Sequence, residues 1–92
     1  MTATVAGLVT PHLLRVVDLA NQAEKGINVD WHVRSAVSQT MAELRDQWNA
    51  AALINTYVEG LETAAGNAPS HRTVYAGVLR AAAASARGPG RE

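Results

Sequence analysis

Three histidines, His12, His32 and His71, have the widest chemical repertoire in this chain, because imidazole titrates near neutrality and ligates metals. A metal site built on helices needs ligands at i and i+3 or i+4, as in Glu-x-x-His or His-x-x-x-His. None of the three has such a neighbour, and each stands near an expected helix start, the ordinary place of a surface residue in a first turn. The chain has no cysteine, which excludes disulfides, thiolate metal clusters and thiol nucleophiles. Glu43 and Asp46, like Glu59 and Glu62, are three residues apart and share a helix face. They would do acid–base work only if two met in an apolar pocket, and a solvated face is the plainer reading. Glu59 and Glu62 are also placed to pair with arginines of the last helix or of a second chain. There is no Ser-His-Asp arrangement, phosphate loop or nucleophile elbow. We expect no enzyme, no metal and no cofactor.

Arginines offer the other chemistry. Arg72, Arg80 and Arg87 fall on one side of the expected last helix, and after Glu62 the chain carries these and Arg91 against Glu92 alone. Such a stripe suits DNA phosphates or an acidic protein surface. No lysine or aromatic residue is interleaved, and eight basic against eight acidic residues leave no net charge, which argues against a dedicated nucleic-acid binder. Neutrality also leaves little repulsion between copies.

The elements that must hold these groups are helices. From Asp30 to Ala65 the apolar residues first recur as Val33, Val37, Met41, Leu44 and Trp48, one face of an α-helix. That stripe then stops, and a second begins with Leu53, Ile54, Tyr57, Val58, Leu61, Ala64 and Ala65, rotated by roughly a third of a turn. Either the chain turns near Trp48-Asn49-Ala50, or one long helix buries two sides against two neighbours. Ala50-Ala51-Ala52 favours continuity. A helix of ~36 residues would span roughly 54 Å, beyond the roughly 30 Å of a domain this size, so its overhang would need a second chain. Trp48 is expected in the core, and Trp31 at partial exposure, where with Tyr57 and Tyr75 it would anchor an interface.

Around this segment, residues 1–9 are small and apolar without clear period. Thr10-Pro11 predicts the start of a first helix running to Lys25, closed by Gly26, with Leu13, Val16, Val17, Ala20 and Ala23 on its apolar face. Asp30 is the expected cap of the central segment, Gly60 a point of close helix approach, and Gly66 with Pro69 the stop signal. Ser70 would cap the last helix, about His71 to Ala86, with Val74, Tyr75, Val78, Leu79, Ala81 and Ala82 turned inward. The Gly-Pro-Gly of the tail, residues 88–92, cannot continue a helix and is expected to be disordered.

Ninety-two residues make one domain, here residues 10–87. Hydrophobic content is 48%, yet much of it is alanine and only 4% is aromatic, so stability must come from a few large side chains or from an interface. No basic N-terminal signal and no run of ~18 apolar residues is present, which makes a cytoplasmic protein without membrane contact the expectation. The scarcity of lysine beside abundant alanine and arginine matches a GC-rich genome.

Leu44-Arg45-Asp46-Gln47-Trp48-Asn49-Ala50 resembles the central Trp-x-Gly region of the small secreted helical hairpins of the WXG100 family. The resemblance covers about seven residues and implies two long helices joined at the tryptophan. Ala50 stands where that family has Gly, Pro69 interrupts the second helix, and Tyr75 is followed four residues on by Leu79 in place of an acid.

Together these readings predict an all-α bundle of three main helices with a long central helix, continuous or kinked near Asn49. The expected function is a regulatory or inhibitory protein-interaction module that self-associates as a dimer. Trp48, Leu53, Ile54, Tyr57, Val58 and Leu61 would carry the contact and Arg72, Arg80 and Arg87 would orient it. The alternatives are a DNA-binding regulator using the last helix, and a secreted hairpin.

Overall fold

Four helices form in the computed structural model, which describes residues 5–87: α1 Val5–Glu24, α2 Asp30–Arg45, α3 Ala50–Asn67 and α4 Thr73–Arg87. The tail, residues 88–92, expected to be disordered, lies outside the described residues, as do residues 1–4 of the expected N-terminal arm. The all-α class is as expected, but the number of main helices is four.

The difference arises at Asp46–Asn49, where the central segment breaks. The Gln47 N–H turns back to the Leu44 carbonyl at 3.1 Å, an i to i−3 bond that tightens and ends the helix, and the Ala50 N–H bonds the Gln47 carbonyl at 3.2 Å. Asp46 and Asn49 are poor interior helix formers. The break also lets both apolar stripes face one core: Val33, Val37, Met41 and Leu44 from α2 and Leu53, Tyr57, Val58 and Leu61 from α3 are all buried. No 54 Å rod exists. The longest helix, α1, has 20 residues, roughly 30 Å, and the chain has a radius of gyration of 13.0 Å, close to the ~12 Å of a compact globule of this length. The overhang that implied a second chain is therefore absent.

α1 starts earlier than Thr10-Pro11 signals. Pro11 lies inside the helix, where it removes one backbone donor. Extending the helix upstream brings Val9 to complete burial, worth roughly 1.5–3 kcal/mol, which offsets most of the proline cost of about 3 kcal/mol. At its other end the expected glycine terminator is present. Gly26 has φ +92°, its N–H bonds the Ala23 carbonyl at 3.0 Å, and the Ile27 N–H bonds the Gln22 carbonyl at 3.2 Å, the two bonds of a Schellman motif.

The expected caps and the second stop signal are corrected. Asp30 is already the first residue of α2, and its N–H donates to Asn28 Oδ1 at 3.1 Å, so Asn28 supplies the side-chain acceptor. Gly66 remains helical, while Pro69 holds Ala68 extended at ψ 141° and thereby ends α3. Ser70 sits in the following turn, and α4 begins at Thr73.

Gly60 is the expected close approach. A Cβ there would stand 2.7 Å from Leu13 Cδ1 of α1. Gly60→Ala gains up to ~1 kcal/mol of helix propensity but must displace Leu13. The substitution should therefore stabilise a Leu13→Ala background more than the native one, with a coupling above about 0.5 kcal/mol by chemical denaturation. Equal effects in both backgrounds would refute the contact.

α4 keeps Leu79 and Ala82 of its expected face in the core and Tyr75 and Val78 partly buried against it, but turns Val74 and Ala81 outward. Ala76, Leu79, Ala82, Ala83 and Ala86 are buried, whereas Val74 is half exposed and Ala81 is exposed. Alanines let α4 lie close against its neighbours, and the valines are left to one side.

Candidate protein-interaction surface

The side chains assigned to partner contact are placed mainly inside their own chain. Leu53, Tyr57 and Leu61 have no exposed surface, Val58 is buried, and Ile54 is partly buried against the same cluster. Trp48, expected in the core, is 94% exposed in the turn between α2 and α3. The second stripe is thus consumed by the intramolecular core, and the six residues form no common surface. Two helices do meet at this tryptophan, but α1 and α4 pack on both of them, unlike a free-standing hairpin.

The arginine stripe is likewise tied down. Arg72 Nε donates to Glu24 Oε1 at 2.6 Å and Nη2 to Asn21 Oδ1 at 2.5 Å, and its guanidinium lies 4.1 Å from the Tyr75 ring centroid. This clamp joins the start of α4 to the end of α1. Arg87 pairs with Glu62, the intrachain pairing open to that glutamate from its spacing. Arg80 is exposed and forms no salt bridge with a described residue. Two of the three positive charges are therefore already compensated.

His32 and His71 are exposed, as expected of first-turn or pre-helix residues. His12 is different. It shares a hydrogen bond with the Thr40 hydroxyl at 3.3 Å, and its Nε2 lies 3.7 Å from Glu43 Oε1. Thr40 is buried, and beside it the Tyr57 hydroxyl is buried with no group in hydrogen-bonding geometry. Burial raises the Tyr57 pKa above its ordinary 10.0, while the Thr40 hydroxyl, near enough to favour the charged form though it forms no hydrogen bond by geometry, and the Arg15 charge pull it the other way. Among the described residues no cluster of three metal-ligating side chains exists.

The Tyr57 environment fixes a pH dependence. With the folded pKa above the unfolded value, the folded chain keeps its proton where the unfolded chain has lost one. Stability is full below the unfolded pKa and falls as pH rises through about 10 toward the folded pKa. Tyr57→Phe should leave stability at pH 7 unchanged or raise it by up to about 1 kcal/mol, since an unpaired buried hydroxyl is lost. It should also remove the extra alkaline decline that urea titrations of the native chain are expected to show. A cost above about 1 kcal/mol, or an unaltered alkaline slope, would refute the orphaned hydroxyl.

Among the described residues, a groove between α2 and α4 leaves apolar side chains uncovered. Asp30, Val33 and Arg34 of α2 and Val74, Gly77, Val78, Ala81 and Ser85 of α4 line an open, mainly apolar groove of about 470 Å³. Trp31, 72% exposed, stands on the same turn as Asp30 and on the face it shares with Arg34. The His32 ring meets it edge-on, with centroids 5.6 Å apart. Trp31 is exposed as expected. The α4 wall was read as core, and its sequence signal is the recurrence of small residues at Gly77, Ala81 and Ser85, every fourth position. A Cβ on Gly77 would meet nothing within 4 Å, which marks the space above it.

Fold and surface define a small all-α bundle with one uncovered apolar groove flanked by a tryptophan. Neither a protein-family model, nor a curated protein, nor a solved structure matches the chain. No helix among the described residues is long and apolar enough to cross a membrane.

Proposed function

We propose that the protein is a non-enzymatic interaction module, a small regulatory or inhibitory protein whose contact surface is the α2–α4 groove with Trp31 at its edge. The single supporting observation is the pairing of a 72% exposed tryptophan with an adjacent apolar groove in a chain whose large buried side chains are used by its own core. Tryptophan buries much area for little entropy and dominates interfaces where it occurs. Trp48 and Leu14 are also exposed, but they lie on other parts of the chain, whereas Trp31 is the chain neighbour of the groove residue Asp30.

Site-specific photo-crosslinking in the native cell tests the reading. A photoreactive residue at position 31 should give a discrete protein adduct that a residue at the exposed position of Ser38 does not, and Gly77→Leu should abolish it by filling the groove. Adducts equal at both positions would contradict the proposal. DNA binding is the weaker reading, because Arg72 and Arg87 are held in ion pairs. Duplex retention in the micromolar range that falls steeply with salt would favour it.

A further inference from the structure

We infer that the α2–α4 groove is the contact face of a two-fold symmetric homodimer, in which Trp31 of each copy enters the groove of the other. The inference rests on the reading of this face as a contact surface and names its occupant. Three features of the face point to a second copy. First, it carries both a knob and a hole side by side: the indole of Trp31, exposed and in edge-on contact with His32, beside a groove whose α4 wall is small at Gly77, Ala81 and Ser85. A two-fold axis midway between knob and hole brings each into register with its counterpart, so a single patch is complementary to itself.

Second, the charges on the rim match under that operation. Asp30 and Arg34 lie one turn apart on α2, and neither forms a salt bridge with a described residue. Antiparallel apposition of two α2 helices about the level of His32 sets Asp30 of one copy opposite Arg34 of the other, twice. Third, the chain has no net charge, so no long-range repulsion opposes the approach of copies. This contact differs from the one read from the second apolar stripe, whose residues are buried within one chain.

Sedimentation velocity over a concentration series of the full chain tests the inference. The native protein should pass from monomer to dimer within the micromolar range, and in a Trp48→Phe background the emission of Trp31 should shift to shorter wavelength over the same range. Trp31→Ala and Gly77→Leu should each weaken dimerisation at least tenfold, as expected of a central aromatic anchor and its pocket. Both positions are exposed, and Gly77→Leu adds helix propensity, so the variants should fold as the native chain does by circular dichroism. Arg34→Asp should weaken the dimer, and adding Asp30→Arg should restore it, a rescue that a merely structural role would not give. A monomer up to about 1 mM, or a dimer indifferent to all these changes, would overturn the inference. If the isolated chain is monomeric while position 31 still crosslinks to a different protein, the second copy is excluded but the interaction reading stands.

Discussion

Leu61→Ala should lower the free energy of unfolding by about 3 kcal/mol, within the 2–5 kcal/mol seen for buried leucine truncations. Leu61 has no exposed surface and lies one helical turn beyond Tyr57 in the cluster that joins all four helices. Truncation removes transfer free energy and leaves a cavity among neighbours that cannot all move in. In a chain with about 5–15 kcal/mol of stability, that is a large share. Trp48→Ala, at 94% exposure, should change stability by less than about 0.5 kcal/mol. Urea denaturation with unchanged m-values measures both. If the two substitutions had comparable effects, or Trp48→Ala the larger, the assignment of α3 to the core would fail.

Ala82→Leu should cost about 2–3 kcal/mol, by overpacking. Ala82 is fully buried, with Ala83 and Ala86 nearly so, and the short side chains set how closely α4 lies on its neighbours. Three added carbons must push a helix away or force poor rotamers. Ala84→Leu, on the exposed side of the same helix, adds the same carbons without that constraint and should be neutral within about 0.5 kcal/mol. Equal tolerance at both positions would show α4 to be loosely docked.

These two cases show what the sequence could and could not display. The stripe Val33, Val37, Met41 and Leu44 was legible because it is strongly periodic and is buried as one face. The Gly26 terminator and the Gly60 contact were legible because a single residue type carries each. The α2–α3 break was marked by the rotation between stripes, but the alanines after it favoured continuity, and helix propensity is weaker than the gain from turning both stripes inward. Leu53, Tyr57 and Leu61 look available in sequence because one long helix, continuous or kinked near Asn49, would turn the second stripe away from the first. On α4 the valines outweighed the alanines in hydrophobicity, yet close packing selects the smaller residue. That inversion leaves Val74 and Val78 along the groove. Of the arginine stripe, Arg80 and Arg87 lie on the last helix whereas Arg72 precedes its first residue, and the pairing of Arg72 and Arg87 with Glu24 and Glu62 depends on tertiary neighbours that spacing alone does not reveal.

Which apolar groups a single copy hides decides both the core and the contact surface. Nuclear magnetic resonance of the dilute monomer with a soluble paramagnetic co-solute reads this side chain by side chain. The indole signals of Trp31 and Trp48 should be strongly attenuated, while the methyl signals of Leu53, Leu61 and Leu79 persist. Attenuated Leu53 and Leu61 methyls beside a protected Trp31 indole would contradict both the core and the contact surface assigned to this chain.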